Sequence, residues 1–268
     1  MEETKPVKKI TSGTKEWADY NVNCFKGCYN NCRYCYAKMM AKRFGRCTEN
    51  TWKKMQVRKD ILNKNFRKYN GRVMFPSSHD IIDEPKVKQV CFDVIQKLLE
   101  ADNEVLITTK PSYNVTKGII SRFEPFRDQI QFRFTITSNN DRLLFFWEPN
   151  APLFKERLKS LKYAFENGFK TSVSIEPFLD YDPQDLVEKI SPFITESIWV
   201  GPMNYIARNN IKKRDIPQYE ETRKNYEVPN LAKIYDDLRN IPSIRFKDSM
   251  ALRLRARENC CYRCPNIL

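Results

Sequence analysis

One histidine and seven glycines are all that 268 residues contain. So few glycines leave little room for a phosphate-cradling loop. No Gly-x-Gly-x-x-Gly follows any candidate strand either, which argues against a dinucleotide site. Also missing is an uncharged apolar run of the roughly 18 residues that a membrane span needs, so no membrane partner is expected. The opening residues, MEETKPVKKITSG, lack the apolar core of a secretory signal. A reducing, cytoplasmic setting is therefore expected, where clustered cysteines are metal ligands more often than disulfides.

What the chain does have is apolar content, charge and cysteine. Apolar residues make up 41%, enough for a globular core in one large domain or two small ones. The net charge of +14 is unevenly spread. Residues 1–72 hold 18 Lys and Arg against 6 Asp and Glu, and residues 243–268 hold 6 against 2, whereas the middle is slightly acidic. Such concentration fits a polyanion partner or a solvated basic face. The stretch 52–72, WKKMQVRKDILNKNFRKYNGR, interleaves Trp52, Phe66 and Tyr69 with eight basic residues. It reads either as a phosphate-tracking surface with aromatics for stacking or as an amphipathic helix.

From residue 71 onward, β-rich runs alternate with helical patterns. Strands are expected at 72–77, 104–110, 130–137, 170–178, 197–204 and 243–248, with an earlier one at 18–23. Helices are expected near 85–101, 117–127, 153–167, 183–194 and 230–240. This alternation predicts an α/β fold, a partial (β/α)6-type barrel of parallel strands with basic N-terminal and C-terminal extensions. A doubly wound open sheet is the alternative. One domain is expected over 1–268, with its core at about 18–205. The segment 205–229 breaks the rhythm and reads as an inserted loop or lid. In both folds ligands gather at the C-terminal ends of the strands, so the residues following each strand carry the chemistry.

Four cysteines follow the first strand, Cys24, Cys28, Cys32 and Cys35. Only the last two make a Cys-x2-Cys hook, where zinc knuckles use two. A cluster closed by all four thiolates and a cluster held by Cys28, Cys32 and Cys35 alone are the other metal readings.

The Cys-x3-Cys-x2-Cys run, followed by Tyr36, resembles the radical S-adenosylmethionine enzymes, in particular the branch containing spore photoproduct lyase. The resemblance implies a [4Fe-4S] cluster on Cys28, Cys32 and Cys35, with S-adenosylmethionine on the open iron. It also implies reductive cleavage of that cofactor to a 5′-deoxyadenosyl radical. It extends over about 18–205. In VLITTKPSYNV the strand-ending Lys110 matches the branch's contact to the S-adenosylmethionine carboxylate. In EPNAPLFKER, Arg157 matches a second polar contact. Tyr36, Ser77, Ser138, Asn139 and Glu176 are further cofactor-binding positions on this reading. The second strand ends in FPSSHDIIDEP, where many radical enzymes carry a Gly-Glu-Glu run. There His79 and Asp80 are catalytic candidates. The photoproduct lyases place a hydrogen-returning cysteine near this strand end, but this chain offers Ser77, so thymine-dimer reversal by that route is not expected.

The tail ENCCYRCPNIL adds Cys260, Cys261 and Cys264, which read as ligands of a second cluster or a zinc, as a source of a hydrogen atom with Cys261 the candidate, or as free thiols. Cys91 falls on the apolar stripe of a helix and reads as core. The expected partners are a nucleic-acid substrate and an acidic electron donor such as a ferredoxin or flavodoxin. A non-catalytic, metal-stabilised nucleic-acid-binding protein, and a radical enzyme acting on a peptide or small metabolite, are the rival readings.

Overall fold

The computed structural model describes residues 13–208 and 211–255. After a short 3-10 turn at Gly13–Glu16 come β1 (Tyr20–Asn21) and β2 (Phe25–Lys26), then the cysteines. Next are α1 (Tyr36–Arg43), β3 (Gln56–Val57) and a single turn α2 (Lys59–Leu62). The strand–helix alternation follows as β4 (Val73–Phe75), α3 (Pro85–Glu100), β5 (Val105–Thr109), α4 (Tyr113–Phe123) and β6 (Ile130–Thr135). It continues with α5 (Asp141–Trp147), α6 (Phe154–Glu166), β7 (Lys170–Ile175), α7 (Gln184–Ile190) and β8 (Ile198–Val200). The last elements are α8 (Ile216–Asn225), α9 (Val228–Leu238), β9 (Ile244–Phe246) and α10 (Asp248–Arg255).

The local reasons are visible in α3. Pro85 opens it without forfeiting a backbone hydrogen bond, and the Glu84 carboxylate accepts from Lys86 N at 3.2 Å and Val87 N at 2.8 Å. Val87, Val90, Cys91, Val94, Ile95, Leu98 and Leu99 recur at helical spacing and are all buried. Similarly, Pro217 opens α8 and Pro229 opens α9.

Seven strands form one parallel sheet in the order β1-β4-β5-β6-β7-β8-β9, and β2 pairs with β3 in a small antiparallel ribbon. Because spatial order follows chain order, there is no switch point, and the doubly wound alternative is ruled out. The sheet does not close, leaving β1 and β9 as edges of a partial barrel. Side chains such as Phe75, Ile107, Phe132, Phe134, Val173 and Val200 face the helices and make the main core with them. Their alternates, including Thr108, Gln131, Arg133 and Ser172, face the barrel interior.

All seven expected strands are present, each shorter than the β-rich run that signalled it. Helices α1, α5, α8 and α10 were not expected. The amphipathic helix considered for 52–72 is not formed beyond the one turn of α2. That stretch is held instead by tertiary bonds to its backbone, from Asn103 Nδ2 to Arg67 O and from Tyr69 N to Asn103 Oδ1. The segment 205–229 is less of a loop than its composition suggested, since α8 fills ten of its residues. Among the described residues no helix is long and apolar enough to cross a membrane. Residues 1–12 and 256–268, which include Cys260, Cys261 and Cys264, lie outside the described residues.

Candidate active site

The cysteine loop is tied down at both ends and in the middle. Gly27 lies at φ +86°, and a Cβ there would meet Trp52 O at 2.5 Å, so only glycine fits. Cys28 N donates to Trp52 O at 2.9 Å, and Arg33 N donates to Trp147 O at 2.8 Å. The Arg33 guanidinium lies over the Phe146 ring at 4.1 Å and pairs with Asp215 at 2.8 Å. Cys35 caps α1, its sulfur accepting from Lys38 N at 3.4 Å.

Cys28, Cys32 and Cys35 are free thiols, the first two buried. Burial pushes the Cys28 thiol well above its usual value, and the charges of Asp80, Cys32 and Cys35 add to that. Burial lifts Cys32 to about 12, against the pull of Lys110, and lifts Cys35 too, moderated by hydrogen bonding from Lys38 N. The three thiols thus share one electrostatic neighbourhood in which the bare protein disfavours thiolates. A metal-borne positive charge would reverse that, and so the donor set fits an iron–sulfur cluster. Among the described residues no three His, Cys, Asp or Glu side chains meet at one point as a single-ion site would have them do.

Cys24 is turned away from the other three. Its sulfur lies 3.7 Å from Cys91 Sγ and 3.7 Å from His79 Nε2, inside the core beneath α3. The closed, four-thiolate reading therefore has no support in this arrangement, and Cys91 is core as expected.

His79 and Asp80 sit at the end of β4, as read from the sequence, but both are engaged in holding the loop. His79 Nε2 accepts from Cys24 N at 3.1 Å, which assigns the proton to Nδ1, 3.2 Å from Asp80 O. The ring also packs edge-on to Phe25 and Phe75. Asp80 accepts from Asn30 Nδ2 at 2.7 Å, Ile81 N at 2.8 Å, Lys110 N at 3.1 Å and the Thr109 hydroxyl. It knots the cysteine loop to the ends of β4 and β5. Ser77 is fixed alongside, with Asn23 Oδ1 accepting from Ser77 N and Ser78 N at 2.8 Å each, and Asn23 Nδ2 donating to Ser77 Oγ at 2.9 Å.

Lys110 approaches the cysteines from the end of β5. Its ammonium lies 3.8 Å from Glu148 and over the Tyr34 ring at 5.6 Å. Burial works against its charge, but Cys32, Glu148 and Asp80 together hold its pKa above the usual value. Glu148, at the end of α5, is the centre that sequence reading missed. It accepts from Thr137 Oγ1 at 2.9 Å, from the Tyr34 hydroxyl and from Arg157 Nη2. Burial opposes its ionisation, yet Arg157 and Lys110 outweigh burial and hold its carboxyl below the usual range. The available signal was the Glu-Pro pair that opens the Arg157 motif.

Arg157 has a structural role that its sequence motif did not show. It is fully buried, with Nε donating to Pro152 O at 2.6 Å, Nη1 to Thr135 O at 3.2 Å and Nη2 to Glu148. Each of its three nitrogens thus has a partner within the protein. Ser138 is likewise buried, donating to Asp180 at 2.9 Å and accepting from Asn140 N at 2.8 Å. Asn139 bonds Asp185. Glu176 lies 3.6 Å from Lys247 Nζ, which also pairs with Glu16 at 2.7 Å, and so faces the β9 side. Tyr36 is exposed and stacks on Tyr205 with centroids 5.6 Å apart, bridging α1 to the segment after β8. Lys110, Glu148, Asp80 and the three cysteines therefore share one electrostatic neighbourhood, while the side-chain contacts of Glu176 are with Lys247 and Asn204.

The family model of the Radical SAM superfamily matches residues 22–190. Uncharacterized protein ORF301 of Acidianus two-tailed virus is 27% identical over 207 residues, which cover 72% of this chain and 66% of that protein. Uncharacterized protein MJ0683 of Methanocaldococcus jannaschii is 26% identical over 225 residues, covering 83% of this chain and 84% of its own. Among solved structures, spore photoproduct lyase complexed with dinucleoside spore photoproduct superposes with a TM-score of 0.55 at 14% identity. That match covers 89% of this chain and 79% of the other. A double mutant of the lyase with bound AdoMet and the same dinucleoside gives 0.54 at 14% identity, covering 89% and 78%. At that identity the likeness concerns the fold.

Proposed function

The chain belongs to the radical SAM superfamily, and on that premise we propose that Cys28, Cys32 and Cys35 hold a [4Fe-4S] cluster for reductive cleavage of S-adenosylmethionine. The observation that carries this is the separation of the four cysteines. Three free thiols lie close enough to raise one another's pKa, and the fourth is packed against Cys91. When bound, the cluster supplies the electron that turns S-adenosylmethionine into methionine and a radical able to take hydrogen from a substrate.

The chain's own residues supply position and charge. Lys110 is the cation that would receive the cofactor carboxylate, and Glu148 fixes its approach at 3.8 Å. Arg157 keeps Glu148 ionised from behind. Asp80 and His79 keep the loop in register with the strand ends, and burial of Cys28 and Cys32 excludes water from the ligands.

For the substrate, nucleic acid is the reading that the exposed cations favour. Arg43, Arg46, Lys53, Lys54 and Lys59 are exposed near the cysteine loop and form no ion pair among the described residues. The same surface suits an acidic electron donor in the cytoplasm.

Anaerobic protein with dithionite and S-adenosylmethionine should yield 5′-deoxyadenosine and contain about four irons per chain. Colourless protein holding one zinc, with no deoxyadenosine, would instead support a structural metal site in a nucleic-acid-binding protein.

A further inference from the structure

Four lysine and arginine side chains are buried among the described residues: Lys38, Arg133, Arg157 and Lys247. Three have carboxylate partners, Lys38 with Glu49, Arg157 with Glu148, and Lys247 with Glu16 and Glu176. Arg133 has none, although it is only 3% exposed. Its Nε donates to Ser172 Oγ at 3.1 Å, and its Nη1 is buried with no partner at all.

Its surroundings are built rather than incidental. Arg133 stands on β6 facing the barrel interior, opposite Ser172 on β7. The guanidinium lies 4.7 Å from the Trp17 ring and 5.4 Å from that of Trp199, and the two indoles meet edge to face. Trp17 comes from the segment before β1, which is fastened to the opposite edge of the sheet. There Lys247 Nζ donates to Gly13 O at 3.0 Å and pairs with Glu16. Two further buried polar atoms beside Arg133 lack partners, Gln131 Oε1 and Trp17 Nε1. Gln131 is two residues from Arg133 on the same face, and its Nε2 donates to the same Ser172 hydroxyl at 3.2 Å.

An isolated buried cation is costly, and contact with two ring faces offsets only part of that cost. Burial pulls the Arg133 guanidinium down to about 9, with Arg72 adding to the fall and Glu176 and Glu196 opposing it from beyond ion-pair range. Two unpartnered donors, Arg133 Nη1–H and Trp17 Nε1–H, call for an acceptor bearing negative charge. The unpartnered acceptor Gln131 Oε1 calls for a donor on the same molecule or on a water beside it.

We propose that Arg133, with Trp17 and Gln131, anchors the acidic group, carboxylate or phosphate, of a small molecule held inside the partial barrel. This site is distinct from the cysteine loop and from the basic outer surface, and does not rest on the radical reading.

The test uses inorganic phosphate and acetate as probes, each against sodium chloride at equal ionic strength. One of them should raise the melting temperature of the wild-type protein and give a saturable calorimetric isotherm. Phosphate alone would identify a phosphate ester as the source, and acetate alone a carboxylic acid. Arg133→Lys should weaken binding by about tenfold or more, since it removes the directed fork of donors. Arg133→Met should abolish binding without lowering the melting temperature of the ligand-free protein, because an unpaired buried charge is exchanged for an apolar chain. No saturable binding of either anion to wild-type protein overturns the proposal, as does equal binding in wild type and Arg133→Met. Should the methionine variant fail to fold, Trp17→Phe, which keeps a ring and removes one donor, carries the same comparison. Deoxyadenosine formation is not the readout, so failure here leaves the cluster assignment standing.

Discussion

Replacing Arg157 with alanine separates a cofactor ligand from a structural cation. In the structure this guanidinium neutralises Glu148, and both side chains are inaccessible to solvent. Breaking a buried ion pair by deleting one partner costs about 3–5 kcal/mol, because the remaining charge is left uncompensated. Lys110, 3.8 Å from Glu148, together with the Tyr34 and Thr137 hydroxyls, retains part of the compensation and argues for the lower end. Two carbonyl hydrogen bonds, to Pro152 and Thr135, are lost as well, at about 1 kcal/mol each. The total is roughly 5 kcal/mol, or about 10–20 °C in melting temperature for a chain of this size. Urea unfolding of cluster-loaded protein, followed anaerobically by circular dichroism, reads it directly. The double variant Glu148→Gln with Arg157→Met should recover most of the loss, since neither partner is then left charged and alone. A loss below about 1 kcal/mol in Arg157→Ala, accompanied by weakened S-adenosylmethionine binding, would refute the structural role and restore the cofactor contact.

Further outcomes follow from the same contacts. Alanine at Cys28, Cys32 or Cys35 should remove the iron and its visible absorbance, whereas Cys24→Ala should keep both; equal loss in all four would contradict the turned-away placement of Cys24. Lys110→Ala should leave iron content intact and weaken S-adenosylmethionine roughly 10- to 100-fold by equilibrium dialysis, the worth of one charge-assisted hydrogen bond. Asp80→Ala strips the acceptor from four donors and should destabilise the fold by about 3 kcal/mol or more. Iron should also pass faster to a chelator from that variant, and an unchanged release rate would count against the knot. Charge reversal at Lys53, Lys54 and Lys59 should flatten the salt dependence of oligonucleotide binding by about 0.7–0.9 in log–log slope per lost contact. Arg58 is spared there because its backbone N–H bonds Cys24 O at 2.8 Å and its side chain tethers the loop.

Sequence alone determined what depends on local period and spacing. Alternating β-rich and helical runs gave all seven strands and their parallel arrangement, because a strand followed by a helix returns to the sheet in the same direction. Cys28, Cys32 and Cys35 stood out from the four clustered cysteines only through the resemblance of their Cys-x3-Cys-x2-Cys run to the radical S-adenosylmethionine enzymes. Helix α5 escaped because its apolar run, LLFFW, is too short to show a period, and the stretch 52–72 misled because its charge pattern suits a helix that its turn-forming asparagines interrupt.

Tertiary structure decided what each polar side chain is bonded to. Arg157 and His79 sit in the expected positions along the chain, yet the sheet order places Glu148 beside one and the backbone of Cys24 beside the other. Arg33 and Asp215 are 182 residues apart, and Asn30 and Asp80 are 50 apart, distances at which no local pattern records a pairing. Arg133 shows the limit most plainly. Its strand was predicted, but whether a carboxylate would meet it inside the barrel depended on which residues β7, β8 and the segment before β1 present there. They present a serine and two tryptophans.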